Sequence, residues 1–260
     1  MNDEGGGEDE HAGSIDDPAY QQAVFKDAYE LSCRQLADTD NGLKALGQIN
    51  KGRNQAVDEL ASDFASEYGA ECGSGCSFCC HQMVLCTPFE VFDIARLILD
   101  TKPSAEIARI RQQLAKLAVL PLDVPSHKGA DKPCALLEDN RCSIYEHRPS
   151  LCRTMLSTSR AACETSLNSQ TQTVPFISEP VIISFLMQLG IDYALIKLKN
   201  MSTEKVEMSR ALSIALDHYD AAFQNWIDGK EPFPDCTADM GSGPSSRALA
   251  ERAAAQSGLA

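Results

Sequence analysis

Residues 71–82 read ECGSGCSFCCHQ and place four cysteines, Cys72, Cys76, Cys79 and Cys80, within nine consecutive positions. Cys134, Cys142, Cys152 and Cys163 follow as a wider series, mostly beside glycine, proline or turn formers. Four thiolates suffice for a closed tetrahedral zinc site or a cubane iron–sulfur cluster, so eight supply two sites or one larger one. The adjacent pair Cys79–Cys80 adds a geometric constraint. Neighbouring side chains diverge by about 100° on a helix and about 180° on a strand, and two of them seldom reach one small ion. The pair therefore points to two neighbouring metal centres, or to one ligand and one bystander.

Working outward, the pattern is helical on both sides of these cysteines. Asp17 followed by Pro18 is a cap with proline at the first helical position, and Tyr20, Val24, Ala28 and Leu31 then mark one face. Val57, Leu60, Phe64 and Tyr68 mark a second helix that stops at Gly69. Thr87-Pro88-Phe89-Glu90 is a capping box opening a helix to about Asp100, and Ile107, Ile110, Leu114 and Leu117 make the next. The most apolar stretch, Pro180 to Leu198, carries Ser184, Gln188 and Asp192 at i, i+4, i+8, and reads as a buried core helix. Met208, Leu212, Ala215, Tyr219, Phe223 and Trp226 step by threes and fours along a long amphipathic helix. The best strand signal is CALLEDNRCSI, residues 134–144, where Asp139-Asn140 can turn one short hairpin. The expected fold is mostly α: a helical scaffold around an irregular, cysteine-rich, metal-binding middle.

The expected organisation follows from these boundaries: an acidic, disordered tail over 1–17, N-terminal helices over 18–70, and the cysteine domain over 71–165. C-terminal helices over 166–236 pack on that domain, and a small, polar, disordered tail occupies 237–260, within which ALAERAAAQ has helix-forming composition. The chain holds 37 acidic against 23 basic residues, a formal charge of −14, which argues against nucleic acid or an anionic membrane as partner. The start of the sequence lacks a basic, then apolar, secretory pattern, and the expected compartment is the cytoplasm. Eleven cysteines do not persist as disulfides there; clustered thiols bind metal or do redox chemistry. No catalytic triad or carboxylate pair stands out, and acids such as Glu90, Asp93 and Asp100 are expected on solvated outer helix faces.

Capping chemistry separates two cysteines that look alike. Ser143-Ile144-Tyr145-Glu146 reads as a capping box with Cys142 one residue before it, where exposed N–H groups and the helix dipole favour a thiolate. Cys86 precedes the Thr87 box in the same way, but there Val91 offers the apolar partner of a hydrophobic staple. Cys142 is thus expected to be a ligand and Cys86 to pack. Cys33 shares a face with Tyr29 and Leu36 and reads as a small hydrophobe, and Cys236 is assigned no role. His81 is a candidate nitrogen ligand or supporting donor. Arg148 and Arg153 flank Cys152, where their charge offsets that of a four-thiolate centre, and Tyr145 is placed to bond to a sulfur or to pack.

Three resemblances bear on this pattern. The C-x3-C-x2-C spacing of Cys72, Cys76 and Cys79, with Phe78 before the last, resembles the cluster triad of radical S-adenosylmethionine enzymes. That chemistry is housed in an α/β barrel with a strand before the triad, whereas DELASDFASEYGA before Cys72 is helical. More specifically, CGSGCSFCC, then VLCTPFEVFDIARLI, then PCALLEDNRCSIYEHRPSLCR and a cysteine at 163 resemble the YkgJ or CxxCxxCC family of zinc- or iron-chelating proteins. The resemblance covers about residues 72–165 and implies a metal role for Cys72, Cys76, Cys79, Cys80, Cys134, Cys142, Cys152 and Cys163. The first spacing here is x3 where the family name has x2, which bears on which cysteines share a metal. Flagellin lysine methylases, with similar cysteine patterns, are associated with an iron–sulfur cluster. Two classes therefore compete: a structural or interaction module held by zinc, and an iron–sulfur redox protein.

Overall fold

The computed structural model describes residues 14–37, 42–169, 173–237 and 243–259. Two helices, α1 (Pro18–Ala37) and α2 (Gly42–Tyr68), lead into the cysteine loop, which contains a 3-10 turn at Phe78–Cys80. Strand β1 (Leu85–Cys86) follows, then α3 (Pro88–Thr101), α4 (Ser104–Ala118) and the single turn α5 (Val124–His127). The second cysteine series runs through β2 (Leu137–Glu138), β3 (Arg141–Cys142), a 3-10 turn at Tyr145–His147, α6 (Ser150–Thr154), β4 (Leu156–Ser157) and α7 (Arg160–Asn168). After β5 (Phe176–Ile177) come α8 (Glu179–Lys199), β6 (Val206–Glu207), α9 (Met208–Ile227) and α10 (Ser246–Gln256). The fold is mostly α, and the α/β barrel required by the radical-enzyme reading is absent among the described residues.

Helix α8 is long and apolar enough to cross a membrane, but most of it is buried here by α1, α2 and α10. Its stripe of Ser184, Gln188 and Asp192 faces inward as the spacing predicts. The crossing with α1 is tight at Gly190. A Cβ there would run into the Phe25 carbonyl oxygen and stand 2.9 Å from the Tyr29 amide, so only glycine lets the two backbones approach. On the other side α3 and α4 pack on α9, with Phe92 ringed by Tyr219, Phe223, Trp226 and Phe233 at centroid distances of 5.0 to 5.7 Å. Ile110 and Leu114 of α4 are fully buried against this cluster, each worth about 1.5–3 kcal/mol.

Three short antiparallel pairs form among the described residues, where the sequence suggested one. The predicted hairpin forms as β2–β3, with Asp139 and Asn140 both at positive φ in its turn. The other pairs, β1–β6 and β4–β5, join strands far apart in the chain, a pairing that local patterning does not carry.

Several expectations need correction. The inward face of α1 is Phe25, Ser32 and Leu36, and Leu31 is exposed; Ser32 tolerates burial because its hydroxyl donates to the Ala28 carbonyl at 2.7 Å. Within the tail expected to be disordered, ALAERAAAQ, whose composition suits a helix, lies in α10 (Ser246–Gln256), and its Ala250 and Ala254 are fully buried against Phe25, Leu189, Tyr193 and Ile196. Residues 238–242 and 260 of the expected tail, and residues 1–13 of the acidic tail, lie outside the described residues. The Ser143 box does not form: Ile144 stands at the cap, the Ser143 hydroxyl is buried without a partner, and the turn that follows is 3-10. Glu90, expected in solvent, is 5% exposed.

Candidate metal centre

Local rules explain how the first cysteines are presented. Helix α2 ends at Gly69, whose φ of 66° allows the left-handed turn that stops a helix. The chain then hydrogen-bonds to β4 through the Glu71 amide and the Ser157 carbonyl at 2.9 Å. The Ser157 amide returns a bond to Cys72 Sγ at 3.3 Å. Gly75, at φ 82°, closes a turn in which the Cys76 amide bonds to the Gly73 carbonyl, and the 3-10 turn carrying Cys79 and Cys80 follows.

The second series is fastened to the first. The Cys134 amide donates to the Cys80 carbonyl at 2.8 Å, and Ser77 Oγ meets Asn140 Oδ1 of the hairpin turn at 3.1 Å. Two thiols of this series have their own amide: Leu136 N–H serves Cys134, and Ile144 N–H serves Cys142. Both amides lie two residues beyond their cysteine, so the chain folds back over each sulfur and aims a donor at it. Such donors favour the thiolate, the form that ligates metal.

The thiols surround two adjoining cavities. An outer one of about 260 Å³ is lined by Cys72, Cys76, Cys79 and Cys163, together with His81, Lys128 and apolar side chains that include Phe78 and Phe176. An inner one of about 460 Å³ is lined by Cys76, Cys79, Cys80, Cys134, Cys142 and Cys152 over a floor of Val84, Leu136, Ile144 and Met208. All eight predicted ligands thus border one cavity or the other. Cys86 borders neither; it is fully buried in the core, as its staple predicts. Among the described residues no three His, Cys, Asp or Glu side chains converge to hold a single ion; the sulfurs are spread around open volume instead.

Burial dominates the protonation of Cys72, Cys134, Cys142 and Cys152. It pushes the thiols of Cys152 and Cys86 well above the ordinary range and that of Cys134 up to about 12, with Leu136 N–H opposing the rise at Cys134. Cys142 and Cys72 are raised by burial too, against the pull of the Ile144 and Ser157 amides. Cys79 is raised by its hydrogen bond with Cys80 and then by burial. So many thiols in so little water cannot ionise together without a cation to meet their charge, and the soft, N–H-supported sulfurs suit a thiophilic metal.

Arg148 and Arg153 do stand near this charge: both favour the ionised form of Cys142, and Arg148 that of Cys79. They are also structural. Arg153 is 2% exposed and donates to the carbonyls of Arg148, at 2.9 Å, and of Glu146, bracing the chain between Cys142 and Cys152. Asp58 of α2 pairs with both arginines. Tyr145 is 56% exposed; it lines the inner cavity and lies under the Arg148 guanidinium, 3.9 Å from centroid to Cζ. His81 lines the outer cavity with its Nδ1 buried and unpartnered.

Beneath the site lies a polar network that the sequence reading missed. Glu90 Oε1 accepts from the Ser150 amide at 2.9 Å and its hydroxyl at 3.1 Å, capping the helix that carries Cys152. Its Oε2 accepts from the Thr87 amide and hydroxyl, completing the predicted capping box. Arg53 of α2 closes the pair at 2.9 Å and also binds Gln188, Asn50 and Asn54. Burial works to raise the Glu90 pKa, but the Arg53 charge and the Ser150 and Thr87 amides outweigh it and hold it at about 2. The available signal was Arg53 itself, four residues before Val57 on the inward face of α2, where a lone charge needs a buried partner.

Fold and site together define a helical protein that presents a cysteine-cluster domain. Residues 71–173 match the model of the CxxCxxCC family, whose description is "Putative zinc- or iron-chelating domain", and helices lie on both sides of the matched stretch. No curated protein and no solved structure gives a significant match to the chain.

Proposed function

We propose that the chain is a metal–thiolate protein in which Cys72, Cys76, Cys79, Cys80, Cys134, Cys142, Cys152 and Cys163 hold iron in iron–sulfur form. The observation that carries this reading is the spread of six thiols around an inner cavity of about 460 Å³, with no three sulfurs meeting at one point. A mononuclear zinc site draws four sulfurs onto one ion, whereas a cluster is ligated at separate iron atoms and needs wider sulfurs with room between them. The arginines beside Cys142 and the amides aimed at Cys72, Cys134 and Cys142 support it, since charge and N–H donors are what stabilise a cluster and set its potential. When bound, such a group supplies one-electron transfer. Free thiols at this density call for a reducing compartment, and we take the cytoplasm to be the working location.

A second reading, a zinc-held structural module, is favoured by the irregular trace from 71 to 87, which has little regular structure of its own to hold it. Anaerobic purification of the full chain separates the two. The iron reading expects a brown protein absorbing at about 400 nm and bleached by dithionite, with acid-labile sulfide matching iron. A colourless protein with stoichiometric zinc supports the module instead, and neither metal at stoichiometric levels after reconstitution defeats both.

A further inference from the structure

We infer that the eight thiols form two separate four-thiolate centres, an outer one of Cys72, Cys76, Cys79 and Cys163 and an inner one of Cys80, Cys134, Cys142 and Cys152. The inference rests on the metal–thiolate reading but not on which metal is bound.

The division follows from the cavities. Four cysteines border the outer cavity, and the remaining four border the inner cavity alone. Cys76 and Cys79 border both cavities and the Cys79 thiol hydrogen-bonds to that of Cys80, so the 3-10 turn stands on the wall between the two; Cys79 is assigned outward because Cys72, Cys76 and Cys163 have no other fourth thiol on their cavity. Successive residues there can serve two metals more easily than one, and the shared turn fixes the distance between them.

Each set has its own supports. The Ser157 amide serves the outer set at Cys72, and the Leu136 and Ile144 amides serve the inner set. Cations stand on both sides, and Arg148 acts on a thiol of each set, Cys142 and Cys79. Arg148 and Arg153 attend Cys142, while Lys128 lines the outer cavity, with its Nζ held by Ser166 Oγ at 2.8 Å. Arg160 lies 5.8 Å from the ring of Phe78 on the same wall.

The two sets differ in access. Cys72 sits at the exposed rim of the outer cavity, whereas Cys134, Cys142 and Cys152 pack against the main core. The outer centre is therefore the exchangeable one and the inner centre the retained one.

Metal content of the full chain, with Cys72→Ser and Cys163→Ser as the principal variants, tests this. The wild type is expected to hold two centres per chain, whether zinc ions or iron–sulfur clusters. Each outer variant should keep about half the metal with an unchanged circular dichroism spectrum, and Cys142→Ser should keep the other half if it folds. A chelator or air should remove about half the wild-type metal in a fast phase that both outer variants lack. Folded outer variants that lose all metal or keep all of it overturn the division, as does a wild type saturating at one centre. Two zinc ions per chain would uphold the division while defeating the iron reading, and a chain that takes up no metal defeats both.

Discussion

Cys142 and Cys86 stand in the same position before an expected capping box, yet only Cys142 borders a cavity, with an amide and two arginines at its sulfur. Cys142→Ser should lower metal content and destabilise the segment around it, measured by elemental analysis and thermal unfolding. Cys86→Ala should leave metal content intact and cost about 1 kcal/mol for the small void in the core. Equal metal loss in both variants would show that Cys86 belongs to the ligand set. Glu90 carries a different kind of demand, since it caps two helices and neutralises a buried arginine. Glu90→Gln leaves Arg53 buried without a counter-charge and should cost roughly 3–5 kcal/mol in denaturant unfolding. A loss below about 1 kcal/mol would mean that water reaches Arg53 after all.

Helices α1 and α8 owe their close crossing to one residue. Gly190→Ala must push α1 away from α8, because the Cβ meets the Phe25 carbonyl and the Tyr29 amide, and backbone atoms have no rotamer to yield. The expected cost is about 1–3 kcal/mol, with the melting temperature lowered and metal content unchanged, since this crossing lies outside the cavity walls. A variant as stable as the wild type would show that the helices separate without penalty. The short elements obey a different logic. β1 pairs with β6 and β4 with β5, two residues each, and these pairs lock the ends of the cysteine segment onto α9 and α8. Their residues carry almost no strand signal, because two-residue ladders are selected by what surrounds them.

Taken as a whole, the molecule is built on a buried polar line from Glu90 through Arg53 and Gln188 to Asp192. Asp192 ends that line with Oδ1 accepting from Gln188 at 2.7 Å and Oδ2 unpartnered, and burial raises its pKa to about 7 against the pull of that hydrogen bond. The folded state therefore holds a proton here that the unfolded chain, titrating at the ordinary aspartate value of 3.8, has already released over the window between the two. Its contribution to stability falls as pH rises from about 4 to about 7 and is lost above that, by on the order of a few kcal/mol. Asp192→Asn keeps a neutral acceptor for Gln188, so the stability gap between variant and wild type should widen in the variant's favour from pH 5 to pH 8. A gap that does not change with pH would show that Asp192 stays ionised in the fold. By itself the sequence determined the helical class, the hairpin at Asp139-Asn140, the inward stripe of α8 and the eight thiols that border the cavities. Those features are local: they rest on periodicity, turn chemistry and spacing along the chain. The tertiary structure alone decided that the thiols line two adjoining cavities, that Glu90 is buried, that Ser143 caps nothing and that the segment ALAERAAAQ docks as a helix. Each of these depends on which surface a residue meets after the chain has folded back, and burial and charge pairing are set by such neighbours, not by position in the sequence.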